Sequence, residues 1–484
     1  MVFSSAIFLC YFLPALILLY VLTPKKAKNF VLLLASVFFY MWEAPKFIFV
    51  IIGTTLIDFF LVQRMEVSKN NNERKLLLVV SVIVNLGLLV YFKYSNFFIE
   101  NVNALLGAVG FHSTIPWTKL ILPIGISFYT FETLTYVVDV YRRVHKPLKN
   151  FWDYQLYIIL FPKLIAGPII RYHDIADQIT DRSANDNSTE RLLGFYRFVL
   201  GLSKKVIIAN ALGEFADHVY GNEVLKLEAL HPANLSAATA WLAALSYTFQ
   251  LYFDFSGYSD MAIGLGRMLG FHFPENFNNP YISQSITEFW RRWHMTLGAW
   301  MRNYLYIPLG GNRVSTKRLY FNLWLVFLLS GLWHGASWNF VLWGAWHGLF
   351  LVIERAFLLR YLEKAGRLIS NAYAFLVVLI GWIFFRVETF GAAWGYVKAM
   401  FGAGSGTESY APDREWMILT SLAVLFAFFL YLPKGDRIQD TVYGVRNPNN
   451  FTHIWLTLAC GVLFILSLSF VTASNFNPFI YFRF

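Results

Sequence analysis

The residue best placed to do chemistry is His334, within Ser330-Gly-Leu-Trp-His-Gly-Ala-Ser-Trp-Asn339 and inside an uncharged run from Phe321 to Ile353. Apolar surroundings favour the neutral imidazole, and a neutral ring nitrogen can accept a proton, as a general base must. Gly335 and Ala336 are small enough to admit a substrate close to the ring. Trp333 and Asn339 are read as substrate contacts, with Ser337 as a further candidate for orienting the ring or meeting an oxyanion. The competing reading is an ordinary buried histidine bonded to a carbonyl.

Two other constellations stand out. The stretch 285–313, SITEFWRRWHMTLGAWMRNYLYIPLGGNR, mingles His294 with Trp290, Arg291, Arg292, Trp293, Trp300 and Arg302. It reads either as an interfacial amphipathic helix or as a surface that grips an anionic or acyl-carrying substrate, with Trp290 and Arg291 as contacts. The stretch 250–266, QLYFDFSGYSDMAIGLG, places Asp254 and Asp260 in an otherwise apolar, aromatic or small run. Ionisable groups there either pair internally or face a functional cavity, so Asp254 and Ser256 are candidate substrate contacts. His347 follows His334 by thirteen residues. On one helix the two would point about 220° apart and lie about 20 Å apart along the axis. A hairpin would bring them closer.

Familiar soluble chemistries are missing: there is no G-x-S-x-G, H-E-x-x-H or P-loop. Nor is any histidine followed five positions later by aspartate; Asn339 stands there for His334. Cys10 and Cys460 give neither a disulfide framework nor a metal cluster.

The elements that position these residues are membrane helices. The 484 residues are 57% hydrophobic and 14% charged, well below the charge of a soluble chain. Long apolar runs recur at 3–22, 30–42, 47–63, 76–92, 119–138, 236–253, 372–385, 416–432 and 454–472. Roughly 20 apolar residues cross a bilayer, so the chain is read as an all-α polytopic integral membrane protein over 1–484, without a soluble domain. The run 3–22 lacks a basic flank and a cleavage site before Lys25, and reads as a retained span. Lysine and arginine cluster after alternate runs, at 25–28, 64–75 and 142–149, which places those loops in the cytoplasm and the N-terminus outside. That topology accounts for the net charge of +11, so nucleic acid is not expected as a partner and membrane lipid is. FPKLIAGPIIRY (161–172) is too rich in Pro and Gly for a smooth helix and reads as a re-entrant or half-span element, or else an interfacial loop. The run 321–353 is also too long for one upright span. It must be tilted, broken or folded in two, with Gly331, Gly335 and Ser337 as break points.

With these residues assembled, LPIGISFYTFETLTYVVDVYR, FPKLIAGPIIRY, LYFDFSGYSDMAIGLG, NPYISQSITEFWRRWHMTL, YLYIPLGGNR, GLWHGASWNFVLWGAWHG and the terminal FIYFRF resemble the membrane-bound O-acyltransferase family over nearly the whole chain, most of all its alginate-acetylating branch. The resemblance implies roughly eleven or more transmembrane helices, with re-entrant or interfacial ones, ringed around a central tunnel. It implies an O-acetyltransferase of a bacterial inner membrane. The acetyl group would come from a cytoplasmic donor, acetyl-CoA, and reach an exopolysaccharide, alginate first among them, directly or through a periplasmic partner enzyme. It makes His334 the catalytic histidine, with His294 lining the same passage. The histidine would serve as general base or carry a transient acetyl group. A transporter or flippase, or a scaffold of a secretion complex, are the alternative classes; no inverted repeat supports the first.

Overall fold

In a computed structural model, residues 1–111, 114–222, 225–444, 450–473 and 479 are described. Helices carry these residues, and the only β-type pairings among them are two isolated bridges, Asn222 with Leu227 and Leu235 with Glu408. Among the described residues five helices are long and apolar enough to span a bilayer: Ile48–Val67, Asn71–Ala108, Trp338–Ala365, Arg367–Arg386 and Asn450–Ala473. A shorter apolar helix covers Phe8–Leu22. Of the terminal FIYFRF only Phe479 falls among the described residues.

The chain forms two compact units. The first comprises Met1, Ile7–Arg191 and Leu265–Pro274. Its interior carries polar groups that are paired, as burial demands. Asp58 accepts from Ser81 and from Asn85 Nδ2 at 2.8 Å, and Thr55 donates to Gln155 at 2.6 Å. Arg74, in the first turn of the helix that begins at Asn71, donates to the carbonyls of Met65, Val140 and Tyr141, and so closes the C-terminal ends of two helices at once. The Pro- and Gly-rich segment 161–170 breaks after a four-residue helix, Phe161–Leu164, and is buried throughout, with Lys163 paired to Glu132. It is packed inside protein, so the interfacial-loop reading fails. The polar stretch 171–191 is not all loop: it folds an amphipathic helix, Tyr172–Thr180.

The second unit comprises Val2–Ala6, Leu192–Gly264 and Glu275–Phe484. The helix Ala237–Met268 runs unbroken for 32 residues through the stretch that carries both aspartates. Its glycines set a close neighbour. A Cβ on Gly257 would lie 2.7 Å from the Gly201 carbonyl oxygen, and one on Gly264 2.5 Å from that of Gly194. Small residues let the two backbones touch. That contact brings the basic residues of 197–205 onto the acidic ones of 254–260.

The uncharged run 321–353 is a hairpin. One arm is Thr316–His334, the other starts at Trp338, and Gly335-Ala336-Ser337 turn between them. The single tilted helix is excluded, and Gly331 is no break point: it lies inside the first arm. Its missing side chain admits the second arm, since a Cβ there would stand 2.2 Å from the Phe340 carbonyl oxygen. Gly344 does the same from the other side against Phe327, at 2.3 Å.

Candidate functional site

The hairpin ends its first arm on His334 and thereby fixes the ring at the turn. Three aromatic rings enclose it: Trp333 at 5.0 Å, Trp343 at 5.1 Å and Phe385 at 5.4 Å between centroids. Ser337 donates to Asn339, whose own amide reaches the Phe385 carbonyl at 3.5 Å. Asn339 therefore ties the turn to the helix Arg367–Arg386 beside the histidine. The expected access past Gly335 is absent. A Cβ at that position would come within 2.1 Å of the Phe340 ring, so the space beside the glycine is filled by phenylalanine and the glycine serves packing.

His294 is placed by a different device. The stretch 285–313 is not one amphipathic helix. A helix Ile286–Arg292 stops, His294 takes a left-handed backbone conformation with φ of 46°, and a second helix starts at Met295. Left-handed geometry is uncommon outside glycine and is held only where the surroundings insist. Here the loop 276–278 supplies the insistence: Met295 N–H donates to the Asn276 carbonyl at 2.9 Å, and Asn278 N–H to the Arg292 carbonyl at 2.9 Å. The Asn276 side-chain oxygen accepts from the Thr296 amide at 3.3 Å and the Thr296 hydroxyl at 2.8 Å, and lies 3.0 Å from His294 Nδ1. A backbone N–H can only donate, so the oxygen end of Asn276 faces this group and His294 Nδ1 must carry its proton toward it. His294 Nε2 is then the basic nitrogen, buried and without a hydrogen-bond partner among the described residues.

The two histidines share a wall. Trp333 lies 6.3 Å from His294 on one side and 5.0 Å from His334 on the other. The rings continue from His334 to Trp343 at 5.1 Å, to His347 at 5.2 Å and to Trp290 at 5.0 Å. The hairpin thus brings His347 onto the same aromatic ladder. His347 is fully buried, and neither of its ring nitrogens has a partner among the described residues.

A cavity of about 260 Å³ opens against this ladder. His294, Trp290, Arg291, Arg302 and Ser330 are on its wall. Two of the sequence-derived contacts, Trp290 and Arg291, therefore meet His294, and Arg302 joins them. Asp254 and Ser256 sit either side of Phe255, whose ring packs on His294 at 4.8 Å. Asp254 itself pairs with Lys205 at 2.6 Å, and Asp260 is held by Arg197 and Lys204, both at 2.6 Å. Sequence reasoning missed Asn276, Trp343 and Phe385 as neighbours of the histidines. Only chain folding joins Asn276 to a ring eighteen positions away.

The chain is similar to known proteins over most of its length. The profile of the membrane-bound O-acyltransferase family matches residues 21–387. The chain is 41% identical to the probable alginate O-acetylase AlgI of Azotobacter vinelandii over the full length of both proteins. It is 33% identical to the peptidoglycan O-acetyltransferase of Helicobacter pylori, covering all of this chain and 98% of the relative. A teichoic acid D-alanyltransferase of Bacillus subtilis is 26% identical over 57% of this chain and 69% of its own.

Proposed function

Because the chain belongs to the membrane-bound O-acyltransferase family and is a multi-pass membrane acyltransferase, we propose that it moves an acetyl group from cytoplasmic acetyl-CoA to the hydroxyls of an exopolysaccharide. Alginate is the first choice of polymer, as the name of the full-length Azotobacter relative suggests. The acceptor is the polymer itself or a periplasmic partner enzyme that completes the transfer. The chain works in a bacterial inner membrane, its roughly eleven or more helices ringed around a central tunnel. The family match crosses from one compact unit into the other, which supports treating residues 1–484 as one transmembrane domain.

In this reading His334 takes the proton of the acceptor hydroxyl as its oxygen attacks the thioester carbonyl. The carbon–sulfur bond breaks, the imidazolium returns the proton to the leaving thiolate, and the products are an O-acetyl ester and free coenzyme A. Trp333 and Asn339 border that step. His294, with its proton fixed on Nδ1, offers a second basic nitrogen on the far side of Trp333. Trp290, Arg291, Asp254 and Ser256 belong to the donor's approach, where the cations Arg291 and Arg302 on the cavity wall suit coenzyme A phosphates. The observation that carries the proposal is the placing of both histidines on one tryptophan, with a cavity reaching His294.

The test uses purified full-length protein in nanodiscs, labelled acetyl-CoA and an acceptor polymer, with and without periplasmic extract. His334→Ala should fold normally and lose acetyl transfer by at least a hundredfold. Full transfer by that variant would defeat the assignment of His334, and substrate movement without label transfer would favour a carrier.

A further inference from the structure

The first unit holds a larger cavity, of about 620 Å³, formed wholly within that unit. Its mouth is basic. Lys25 and Lys26 stand exposed on the turn after the first apolar helix, and neither has an ion pair among the described residues. Lys28 is committed, since Asp186 is shared between it and Arg191. The other two carboxylates, Asp153 and Asp181, are hydrogen-bonded by neutral donors, and Asp181 also lies in the field of Lys25. Asp153 accepts from Asn29 at 2.9 Å, and Asp181, on the solvent side, accepts from the Ser183 amide at 2.9 Å.

Deeper in the wall is Arg182, more than nine-tenths buried. Its Nε donates to the Tyr20 hydroxyl at 3.2 Å and the Leu269 carbonyl at 3.0 Å, and its Nη1 to Asn29 at 2.6 Å. The remaining nitrogen, Nη2, is buried with no partner among the described residues. A buried guanidinium held rigidly by three bonds, with one donor edge unspent, is built to meet an oxyanion, and guanidinium suits phosphate in particular.

The opposite wall is apolar. Leu33, Val37 and Ile52 line the cavity, and Phe30, Leu34 and Trp152 carry that wall out to exposed positions, Trp152 at 61%. Basic mouth, buried arginine and outward-running apolar wall match the two halves of one molecule. We propose that this cavity is a binding site for an anionic glycerophospholipid. The phosphate sits at Arg182 Nη2 and the two exposed lysines, and an acyl chain runs along the Leu33–Val37 wall. Basic pockets between helices on the lysine-rich side of a membrane are suited to such headgroups. A nucleotide phosphate shares the head chemistry but leaves the apolar wall uncovered. The proposal does not depend on the acyl-transfer reading.

The experiment is a lipid titration of full-length protein in neutral detergent, followed by native mass spectrometry with dioleoyl-phosphatidylglycerol and dioleoyl-phosphatidylcholine as probes. Phosphatidylglycerol should be retained in preference. The Lys25→Ala/Lys26→Ala double variant, altered only at exposed side chains, should bind it about tenfold to thirtyfold more weakly. Arg182→Lys, which keeps the charge but loses the planar fork, should weaken binding several-fold. Millimolar coenzyme A should not displace the lipid. Equal retention of the two lipids, undiminished affinity in the double lysine variant, or displacement by coenzyme A would each overturn the proposal.

Discussion

Replacing Asn276 with leucine asks whether His294 works through a fixed tautomer. The Asn276 oxygen serves three donors, at 2.8, 3.0 and 3.3 Å, all buried. Leucine is close in volume and removes the acceptor from all three. A buried donor left unmet costs about 1–3 kcal/mol. The Thr296 hydroxyl can rotate to another acceptor, so two donors remain and the loss of stability should be about 2–6 kcal/mol. The effect on rate is separate. The lost hydrogen bond contributes about 1–1.5 kcal/mol to holding the proton on Nδ1, which is about tenfold in the population with a basic Nε2. Freedom of the ring to turn adds to that, and acetyl transfer should fall roughly tenfold to a hundredfold. Thr296→Val keeps the bond from Asn276 to His294 and should cost less than about threefold. Initial rates with labelled acetyl-CoA measure the transfer, and nitrogen spectra of protein labelled at histidine report which nitrogen is protonated. A wild-type spectrum with the proton on Nε2 would refute the reasoning. So would an Asn276→Leu loss that is as large in a His294→Ala background as in the wild type, because a residue acting through His294 has nothing left to act on there.

Three further outcomes follow from the same geometry. Gly335→Ala puts a methyl group 2.1 Å from the Phe340 ring, so the hairpin turn should shift, with a stability loss of about 1–3 kcal/mol and weakened transfer; an unchanged melting temperature and rate would contradict the packing role of the glycine. Asp254→Leu removes the carboxylate paired with the buried ammonium of Lys205 and should destabilise by a few kcal/mol (about 3–5), while adding Lys205→Met should restore most of that; a double variant no better than the single would show that Asp254 does more than neutralise Lys205. His173, on the amphipathic helix Tyr172–Thr180, has Nδ1 2.7 Å from Asp139 Oδ2, and that hydrogen bond raises its pKa above the usual histidine value despite partial burial. A raised folded pKa stabilises fully below the unfolded value of about 6.5, and the benefit is lost as pH rises through the folded value. His173→Gln should therefore flatten the fall in melting temperature above about pH 6.5, and parallel curves for the two proteins would exclude the pair as its source.

What could be read from the sequence was local or averaged. Hydropathy sufficed for the membrane class, because every stretch that crosses lipid must be apolar whatever its neighbours are. The setting of His334 was legible because the turn residues, the tryptophan and the histidine are adjacent in the chain. The hairpin was not, because lysine and arginine flank both ends of the run 321–353 and the charge rule is silent there. Gly331 and Gly335 were misread for a related reason. A glycine signals that something must come close, and sequence cannot say whether that is a substrate, a carbonyl or, as at Gly335, the Phe340 ring. The pairing of Asp254 with Lys205 and the service of Asn276 to His294 lie about 50 and 18 positions apart, beyond any helical or strand period.

The arrangement also separates two kinds of polar group, and the separation has a chemical consequence. The carboxylates of 254–260 are neutralised by Lys205, Lys204 and Arg197 where two helices meet at glycines. The histidines stand instead among tryptophan and phenylalanine rings, with His347 and the Trp290 and Trp343 indole nitrogens lacking partners among the described residues. A thioester that meets water beside an imidazole is hydrolysed, so an acyl transferase gains by keeping its base in a dry wall and its carboxylates elsewhere. Opening that wall separates the two requirements experimentally. Trp343→Ala leaves His334 in the chain but uncovers it between Trp333 and Phe385, so release of free acetate should rise relative to ester formed. If both products fell in parallel, the ladder would be a structural support and not a barrier to water.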